Sequence, residues 1–423
     1  MNRIEHNDTI IIGAGISGMS AGKSLKGNFK ILEKNNYCGG LSTQYEDNGY
    51  KFDFGGHYFH FKEKERAWTY IKKYSKFNKY IKNSKVFVLN KFIPFPIQFH
   101  LSYFSKKLRD NILLEITENK KKTNVNFENF ELYLRNTFGE SLYSTFFKPF
   151  LSKYYGLALN TLTHNMDKGS IPVPNMQEVI DGYNGKHFKK IGYNPVFYYP
   201  LNSLKTFINN YVEDIKDKII YNESVIKVDT NKKIVYTKDR EYHYNTLINT
   251  MPLKHFLEIS NNIISDKEHM EKLRHISTLV SNIVLEKRRR RFHWIYLPEK
   301  EYPYYRFGYY PGYKKTIVYL ERTVAIGQEN NAQLDKEFVF KTLKNLGVIK
   351  GKSEIKYISN KHIPVSYIVF DKHWKNFVPD ILKGLKQKNI YSIGRYGSWD
   401  YTSMSEDILN AINVSEEINL EHL

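Results

Sequence analysis

The stretch "TIIIGAGISGMSAGKSLKGNFKILEKN", Thr9–Asn35, decides the fold of this protein. Its first residues, Thr9–Ile12, predict a buried strand, and "FKILEK" predicts a second strand that returns parallel to the first. Between the strands, glycines open a helix that we expect from about Ser17 to Leu25. A strand, a glycine-rich turn, a helix and a parallel strand in this order indicate an α/β fold.

The turn "GAGISG" places Gly13, Gly15 and Gly18 in the pattern GxGxxG. In that pattern the first glycine permits a tight turn, the second admits a pyrophosphate, and the third lets helix and strand pack closely. The helix N-terminus offers free N–H groups to the phosphates. Glu33 ends the second strand, where a carboxylate can accept ribose hydroxyls. Together these features indicate a Rossmann-like dinucleotide-binding domain rather than a glycine-rich turn without a ligand.

A second set of glycines points to FAD rather than NAD. The segment "CGGLST" contains Gly39 and Gly40, and the aromatic strand "GYKFDF" ends in Gly55 and Gly56. Small residues at these places let the backbone approach a flat ring system closely.

His57 and His60 follow this strand and raise the question of a metal site. The pair lacks partners at any recognised zinc spacing, so we predict no metal. The single cysteine, Cys38, excludes an internal disulfide framework and indicates a reducing compartment.

The composition favours an anionic partner. The 423-residue chain has 64 basic and 44 acidic residues, a formal net charge of +20, and 41% hydrophobic residues. Such a charge suits a phosphate-bearing ligand, a membrane surface or nucleic acid. The only compact basic cluster, Lys287–Arg291, is typical of a solvated loop. The polar N-terminus and the short apolar run behind it are not a signal or membrane segment, so we expect a cytoplasmic protein without stable membrane insertion.

The rest of the chain predicts domains built from discontinuous segments. We expect a cofactor domain from residues 1–61, 201–274 and 376–423, a mostly helical insertion over 62–165, and a β-sheet substrate domain from 166–200 and 275–375. Within the insertion, Glu65–Ile81 looks helical, and apolar residues from Phe127 to Phe138 follow one helix face. The runs "STLVSNIVLE", "HWIYLP", "KTIVYLER" and "IKYIS" predict strands.

Several segments resemble a known family. The glycine-rich extension is similar to that of FAD-dependent amine oxidases and protoporphyrinogen oxidase. The segments "NKFIPFPIQFHLSYF", "HWIYLPEKEYPYYRFGYY" and "SIGRYGSWDY" resemble, in order and spacing, the UDP-galactopyranose mutases, especially their eukaryotic-type branch. The resemblance is spread over nearly the full chain, and "GRYGSWDY" after "YPYYR" is its most specific part.

The resemblance implies a pyranose–furanose mutase. In that family reduced FAD attacks the anomeric carbon of a UDP-sugar through N5 and displaces UDP; the sugar ring opens as a flavin iminium and recloses with the other ring size. The implied partners are a nucleotide-diphosphate sugar, most simply a UDP-sugar, and a reductant such as NAD(P)H or a reductase. No nucleic acid is implied, and self-association through the helical insertion is left open.

The resemblance also implies substrate-binding residues. Arg306 and Arg395 stand where the family has its diphosphate-binding arginines, and an arginine fork suits phosphate oxygens. Tyr296 and Tyr401 match tyrosines that hydrogen-bond the diphosphate. The uridine pocket is implied to contain an aromatic residue that stacks on the base, an amide that reads the base edge, and a tyrosine at a position where the family has tryptophan: Phe95, Gln98 and Tyr155, respectively.

The implied flavin contacts surround the glycine segments, with His57 sensing or supporting the redox state. The predicted catalytic residues are His57, Arg306 and Arg395. The predicted cofactor-binding residues are Gly13, Gly15, Ser17, Gly18, Glu33, Lys34, Gly40, Leu41, Ser42, Gly55, Gly56, His57, Val225, Gly394 and Arg395.

Some positions depart from the family pattern, and two other functions remain open. Ser170, with Lys168 before it, replaces an expected arginine, and Ile363 replaces an expected tyrosine, so the sugar and the nucleoside stay open. An FAD oxidase or dehydrogenase for an amine, a porphyrinogen or a polyene would favour an apolar cavity without paired arginines. A non-catalytic basic binding protein is compatible with the charge alone.

Overall fold

The computed structural model of the protein describes residues 3–61, 64–122, 127–167, 169–188, 192–261, 267–287, 292–311, 316–325 and 336–421. The chain forms two units, each assembled from separate segments. Unit 1 comprises Met1–Lys79, Tyr198–Arg274 and His373–Leu423, and unit 2 comprises Tyr80–Phe197 and His275–Lys372. The domain boundaries predicted above cut the chain differently, because residues 62–79 belong to unit 1 and the rest of the predicted insertion belongs to unit 2.

The described strands, in chain order, are β1 (Arg3–Ile12), β2 (Phe29–Leu32), β3 (Gln44–Asp47), β4 (Tyr50–Asp53), β5 (Phe77–Ile81), β6 (Ser84–Val88), β7 (Lys91–Pro94), β8 (Val196–Pro200), β9 (Ile219–Ile220), β10 (Lys227–Asp229), β11 (Ile234–Tyr236), β12 (Arg240–Asn249), β13 (His275–Leu285), β14 (Trp294–Tyr296), β15 (Arg306–Tyr309), β16 (Thr316–Val324), β17 (Ile355–Ile368) and β18 (Ile390–Ser392).

The described α-helices are α1 (Ile16–Ser24), α2 (Glu65–Ile71), α3 (Lys106–Lys121), α4 (Phe130–Phe138), α5 (Glu140–Leu142), α6 (Lys148–Tyr155), α7 (Met176–Tyr183), α8 (Leu204–Val212), α9 (Leu253–Ile259), α10 (Lys267–Glu271), α11 (Lys336–Asn345), α12 (Lys372–Lys386), α13 (Gly394–Gly397) and α14 (Met404–Glu421). A π-helical segment, Tyr143–Phe147, precedes α6. In the parts of the chain that the structure describes, no helix is both long and apolar enough to cross a lipid bilayer.

Unit 1 is built on a seven-stranded sheet with the order β10-β11-β12-β1-β2-β9, in which β18 also pairs with β12. The strands β2, β1, β12 and β18 are parallel, and their last residues are register partners. Their carboxyl ends therefore meet at one edge of the sheet, which is where open α/β sheets bind ligands. The strand–turn–helix–strand unit predicted from Thr9–Asn35 is confirmed, with α1 one residue earlier than expected.

The interior of this sheet explains why a continuous apolar run forms β1. Ile10 and Ile11 of β1, Leu247 of β12 and Ile390 of β18 have no exposed surface, as expected for parallel strands that are covered on both faces. Helix α14 also lies against α1, and the Ser415 hydroxyl donates to Ala21 O at 3.0 Å. The carboxyl end of the chain thus stabilises the helix that follows the glycine loop.

Unit 2 contains a second seven-stranded sheet with the order β17-β13-β16-β15-β14-β6-β7. Its neighbouring strands are antiparallel except for β14 and β6, which run parallel. Apolar side chains from β13, β15 and β16 form a core together with α11; examples are Ile283, Phe307, Val318 and Leu343, none of which is exposed. The strands predicted between residues 275 and 375 are confirmed.

The region 62–165 was predicted to be mostly helical, and in part this is wrong. Helix α4 confirms the apolar stripe, since Phe130, Leu134 and Phe138 are fully buried and the Asn129 side chain caps the helix by accepting from Leu132 N at 3.0 Å. However, α2 ends at Ile71 instead of Ile81, and β5, β6 and β7 follow it. β6 and β7 form a hairpin whose turn residues Leu89 and Asn90 have φ of 51° and 56°, typical of a two-residue hairpin turn.

Candidate functional site

Gly13 and Gly18 shape the turn between β1 and α1. Gly13 has φ of +95°, and a Cβ atom there would lie 2.6 Å from Thr250 Oγ1. A Cβ atom on Gly18 would lie only 2.0 Å from the carbonyl oxygen of Gly13. Both glycines are therefore required by packing within unit 1, which is the role predicted for the first and third glycines of the motif.

Gly15 differs from its two neighbours because the chain itself leaves space around it. A Cβ atom there would meet no heavy atom within 4 Å. Gly15 is the N-cap of α1, no side chain caps this helix end, and its first turn contains no acidic residue. The N–H groups at the helix start thus remain suited to an anion, and the space beside Gly15 fits the pyrophosphate of a dinucleotide.

Glu33 lies directly after β2 and is 4% exposed. Its Oε2 accepts a hydrogen bond from Ala14 N at 2.8 Å, while its Oε1 accepts from Asn35 N at 2.9 Å and from Asn35 Nδ2 at 2.7 Å. The carboxylate therefore holds the glycine loop, and one lone pair of Oε2 is left to meet a ribose hydroxyl. Lys34 beside it is exposed, and Val225 is buried in the segment where Glu223 N donates to Glu33 O at 2.8 Å.

The second glycine pair packs directly on the first loop. Gly39 N donates to Ala14 O at 2.8 Å, and a Cβ atom on Gly40 would lie 3.4 Å from Gly15 Cα. Ser42 N in turn donates to Gly39 O at 2.8 Å, and Leu41 is half-buried. The two segments, which were selected from sequence as separate patterns, thus form one backbone surface in unit 1.

His57 follows the third glycine pair, after β4. Gly55 has φ of +111°, and His57 N donates to Gly55 O at 3.0 Å while His57 Nδ1 lies 3.3 Å from the same oxygen. The strand end is fixed by the fully buried Asp53, which accepts from Gln44 Nε2 at 2.9 Å and from Tyr199 OH at 2.7 Å. The ring of His57 is half-buried, and so is Gly56.

Gly394 brings Arg395 to the start of α1. Gly394 has φ of +77°, and a Cβ atom on it would lie 2.3 Å from Oγ of the buried Ser17. The guanidinium group of Arg395 donates through both Nε and Nη2 to Thr402 O, with an Nε–O distance of 2.8 Å. The Tyr401 ring, 36% exposed, lies 4.7 Å from Arg395 Cζ. Unit 1 therefore places Arg395 and Tyr401 side by side on a segment that contacts the glycine loop.

Asp407, in the first turn of α14, supports this segment and was not selected from the sequence. Its Oδ1 accepts a hydrogen bond from Thr402 Oγ1 at 2.5 Å, and Thr402 is the residue whose carbonyl holds Arg395. Burial raises the pKa of the Asp407 carboxyl to about 6, because the ionised form is poorly solvated there.

In unit 2, Arg306 and Tyr296 are register partners on adjacent strands, β15 and β14. Arg306 is also the register partner of Glu321 on β16, and its Nε donates to Glu321 Oε2 at 2.6 Å. Its Nη2 donates to the hydroxyl of Tyr367 at 3.4 Å. The guanidinium group is thus held by one buried carboxylate and one tyrosine, with 20% of the Arg306 side chain exposed.

An aromatic cluster in the same unit surrounds Tyr296. The ring of Phe95 lies 4.7 Å from that of Tyr296, and the ring of Phe150 lies 5.0 Å from it. Tyr155 is 7% exposed, and its ring lies 4.8 Å from that of Tyr154. Phe150 and Tyr154 were not predicted from the sequence, although their i, i+4 spacing on one helix was a usable signal.

Gln98 is the predicted site residue whose setting differs most from the prediction. It has no exposed surface, and its Nε2 donates to Pro172 O at 2.6 Å. Its Oε1 has no hydrogen-bond partner among the described residues. The side chain thus joins two segments of unit 2, and a contact between it and a base stays a prediction.

Some sequence features lie outside the described residues or give no site. Lys168 and residues 288–291 of the basic cluster are not described. Ser170 N donates to Asp167 O at 2.9 Å, and Ile363 is 6% exposed in β17. Among the described residues, no group of three or more histidine, cysteine or acidic side chains is placed to hold a metal ion.

Comparisons with known proteins agree with this geometry. Residues 11–74 match the family model of the NAD(P)-binding Rossmann-like domain. The chain is similar to the dTDP-fucopyranose mutase of Escherichia coli, with 26% identity over 208 residues, covering 46% of this chain and 54% of that protein. It therefore spans about half the length of this curated relative.

The similarity of the fold extends over the whole chain. A structure of reduced UDP-galactopyranose mutase superposes with a TM-score of 0.90 at 20% identity, covering 99% of this chain and 96% of the other. Wild-type putrescine oxidase bound to putrescine superposes with a TM-score of 0.68 at 11% identity, covering 98% and 99% of the two chains. The chain has the fold of UDP-galactopyranose mutase, and the predicted fold class is confirmed.

Proposed function

We propose that this protein is a flavin-dependent isomerase that interconverts the pyranose and furanose forms of a nucleotide-diphosphate sugar. One observation carries the proposal. On a fold that it has in common with UDP-galactopyranose mutase, each unit presents an arginine beside a tyrosine, Arg395 with Tyr401 in unit 1 and Arg306 with Tyr296 in unit 2. An arginine with an adjacent phenol is suited to binding phosphate oxygens.

The residues of unit 1 fit FAD. The space beside Gly15 and the uncapped start of α1 suit a pyrophosphate, and Glu33 keeps an acceptor for a ribose hydroxyl. The glycine pairs at residues 39–40 and 55–56 would leave backbone without side chains for a bound ring system, and His57, next to Gly56, would border it. When bound and reduced, the flavin supplies a nucleophilic ring nitrogen for the anomeric carbon of the sugar.

The remaining site residues act on the substrate. The guanidinium group of each unit is suited to balancing the negative charge of a diphosphate, and the tyrosine beside it, Tyr401 or Tyr296, is suited to donating a hydrogen bond to a diphosphate oxygen. Phe95 stacks on the base, and Tyr155 and Gln98 border the nucleotide. We propose a UDP- or dTDP-sugar as the substrate because the two similar mutases are named for a dTDP-sugar and a UDP-sugar. The product is a furanose donor for glycan synthesis in the cytoplasm, and NAD(P)H or a reductase supplies the reducing equivalents.

The decisive experiment is an anaerobic isomerisation assay. The purified flavoprotein is reduced with dithionite and incubated with a panel of UDP-, dTDP- and GDP-sugars, and chromatography is used to find a second isomer. We expect isomerisation of at least one UDP- or dTDP-sugar with reduced protein and none with oxidised protein. Borohydride-type trapping then tests for covalent attachment of the sugar to the cofactor.

The alternative is an oxidase or dehydrogenase, for which the fold of putrescine oxidase is the supporting observation. Oxygen-linked turnover of an amine or a porphyrinogen, without an isomer from any nucleotide sugar, would establish it and exclude the mutase. Oxygen uptake with such substrates is therefore measured on the same preparation.

Two glycine substitutions test the FAD site separately from the fold. Gly18→Ala should prevent correct packing, since its Cβ would overlap the Gly13 carbonyl, so we expect loss of soluble protein. Gly15→Ala meets no atom of the chain, so the apoprotein should keep its Tm while the Kd for FAD rises by about tenfold or more. Equal FAD affinity of Gly15→Ala and wild type would show that the pyrophosphate does not approach Gly15.

A further inference from the structure

Lys153, on α6, has a setting that is unusual for a lysine. Its Nζ donates to three backbone carbonyl oxygens, at 2.7 Å to Leu297 O, 2.6 Å to Glu299 O and 3.4 Å to Tyr304 O. All three carbonyls belong to the loop between β14 and β15. The lysine therefore closes this loop from a helix that is more than 140 residues away in the sequence.

The ammonium group forms its hydrogen bonds with the loop. A lysine ammonium has three N–H donors, and three carbonyls are present to accept them. Burial nevertheless lowers the pKa of Lys153 to about 7, because the charged form loses hydration, while the carboxylates of Glu299 and Glu301 oppose this shift. Burial of the ammonium group thus costs free energy. Its hydrogen bonds hold the loop in position.

The loop that Lys153 holds joins two proposed substrate-binding residues. Tyr296 is the last residue of β14 before the loop, and Arg306 is the first residue of β15 after it. A change in the loop is therefore transmitted directly to both side chains.

The neighbours of Lys153 on α6 contact the same part of the sheet. The Tyr154 ring lies 4.9 Å from the rings of both Tyr305 and Tyr367, and Thr323 Oγ1 donates to Tyr154 O at 2.6 Å. Tyr367 is the residue whose hydroxyl accepts from Arg306. Helix α6 thus supports Arg306 from the loop and from the far strand, β17.

We propose that Lys153 is a positioning residue that sets Tyr296 and Arg306 for the diphosphate of the substrate. The inference rests on the proposed function, since it takes the nucleoside diphosphate as the ligand of Arg306. Lys153 itself does not touch substrate, because its donors are directed to the three carbonyls of the loop.

The test compares Lys153→Met with Lys120→Met in the reduced, FAD-loaded full-length protein. Lys120 is a suitable control because it also donates to a backbone carbonyl, Pro174 O at 2.9 Å, but it lies on α3 and does not contact this loop. For Lys153→Met we expect the Kd of UDP and the KM of the nucleotide sugar to rise about tenfold, with kcat within about threefold of wild type. Lys120→Met should stay within about twofold of wild type for all three quantities.

The pH dependence of KM distinguishes a positioning role from a purely structural one, because a purely structural role would not change it. As pH rises through about 7, Lys153 loses its proton and one of its three donors, so the KM of wild type should increase between pH 6 and 8. Lys153→Met has no such group, and its KM should lack this component of the pH dependence.

The inference is overturned if Lys153→Met keeps the Kd of UDP and the KM within twofold of wild type, or if it lowers kcat alone. If Lys153→Met does not fold, Lys153→Gln is measured; it keeps two donors without the charge, and a pH profile and Kd identical to wild type overturn the inference. Failure of the proposed function is distinguishable, since the wild type then binds UDP without isomerising any sugar, and the Kd series still decides the role of Lys153. If the wild type binds dTDP but not UDP, the Kd series is measured with dTDP; wild type that binds neither nucleotide excludes both the inference and the proposed function.

Discussion

Arg306 and Arg395 are held by different kinds of partner, although each is proposed to bind diphosphate oxygens. In unit 2, Arg306 lies on a central strand and pairs with Glu321, a carboxylate that is 3% exposed. In unit 1, Arg395 lies on the short helix α13 and donates to the carbonyl of Thr402, and the Thr402 hydroxyl donates to Asp407. Strand register sets the first arginine, and a loop that leads into a helix sets the second.

Because of this difference, the two arginines should contribute unequally to the stability of the protein even if both bind the nucleotide. Removal of Arg306 leaves the buried Glu321 carboxylate without its cation, whereas removal of Arg395 takes a hydrogen-bond donor from the carbonyl of Thr402. Removing one partner of a buried ion pair costs far more than losing one hydrogen bond of this kind. Substitutions at the two arginines should therefore change nucleotide binding in the same direction but protein stability by very different amounts.

The largest effect is expected for Arg306→Ala. Because the buried Glu321 carboxyl loses its cation, the free energy of unfolding should fall by about 3 kcal/mol, measured by denaturant unfolding or by the shift in Tm. The double substitution Arg306→Met/Glu321→Leu removes both charges and should recover most of this loss while UDP binding stays weak. No recovery in the double variant would mean that the ion pair is not the source of the stability difference.

A smaller effect, with a defined pH dependence, is expected for Asp407→Asn. The folded-state pKa of Asp407, about 6, lies above its ordinary value, so the folded protein binds this proton more tightly than the unfolded chain does. The group therefore favours folding at low pH, and this contribution is lost as pH rises from about 4 through about 6. Since asparagine does not ionise, the variant should be more stable than wild type by about 2 kcal/mol at pH 7.5 and by much less at pH 5.

The control for this comparison is Asp239→Asn, which removes an exposed carboxylate of the same unit. Its difference in Tm from wild type should be small and equal at the two pH values. An Asp407→Asn difference that is the same at pH 5 and pH 7.5 contradicts the assignment of the raised pKa to Asp407.

The smallest stability change is expected for Arg395→Ala, at about 1 kcal/mol or less, because its contact with Thr402 O is a hydrogen bond to a carbonyl group and not an ion pair with a buried carboxylate. The same variant should nevertheless raise the Kd of UDP about tenfold or more, as loss of a charge-assisted contact does. Isothermal titration calorimetry with UDP measures the affinity, and Arg66→Ala, which removes an exposed ion pair with Glu416, serves as the control. Unchanged affinity in Arg395→Ala would remove this arginine from the proposed site.

Local patterns were enough to predict the cofactor loop. Gly18 is required by its contact with the Gly13 carbonyl in the same turn, so the spacing of the motif together with the flanking strand and helix was enough to predict it, whereas the contact that limits Gly13 comes from the distant Thr250. The hairpin of β6 and β7 was missed because a run such as "SKVFVLNKFIP" pairs as strands only when a partner strand is present, and that partner, β14, lies 210 residues further on.

The supporting residues of the site could not be predicted in this way. Glu321 and Lys153 act on residues of a neighbouring strand and of a distant loop, whereas Asp407 acts on Thr402 in the loop that leads into its own helix. Nothing in the residues next to Lys153 indicates that three carbonyls of a distant loop surround its ammonium group. Gln98 shows the converse, since a side chain selected for base recognition is fully buried against Pro172.

By itself, the sequence determined the parallel α/β unit and the positions of its glycines, because these depend on backbone conformation over short distances. The two arginines were selected by resemblance to a family, and their role in binding stays a prediction. Only the tertiary structure decided that Gly394 packs on Ser17, that Arg306 is paired with Glu321, and that Lys153 holds the loop before Arg306. Those contacts join segments that are remote in the chain, and they arise from strand register and helix packing, which no local pattern contains.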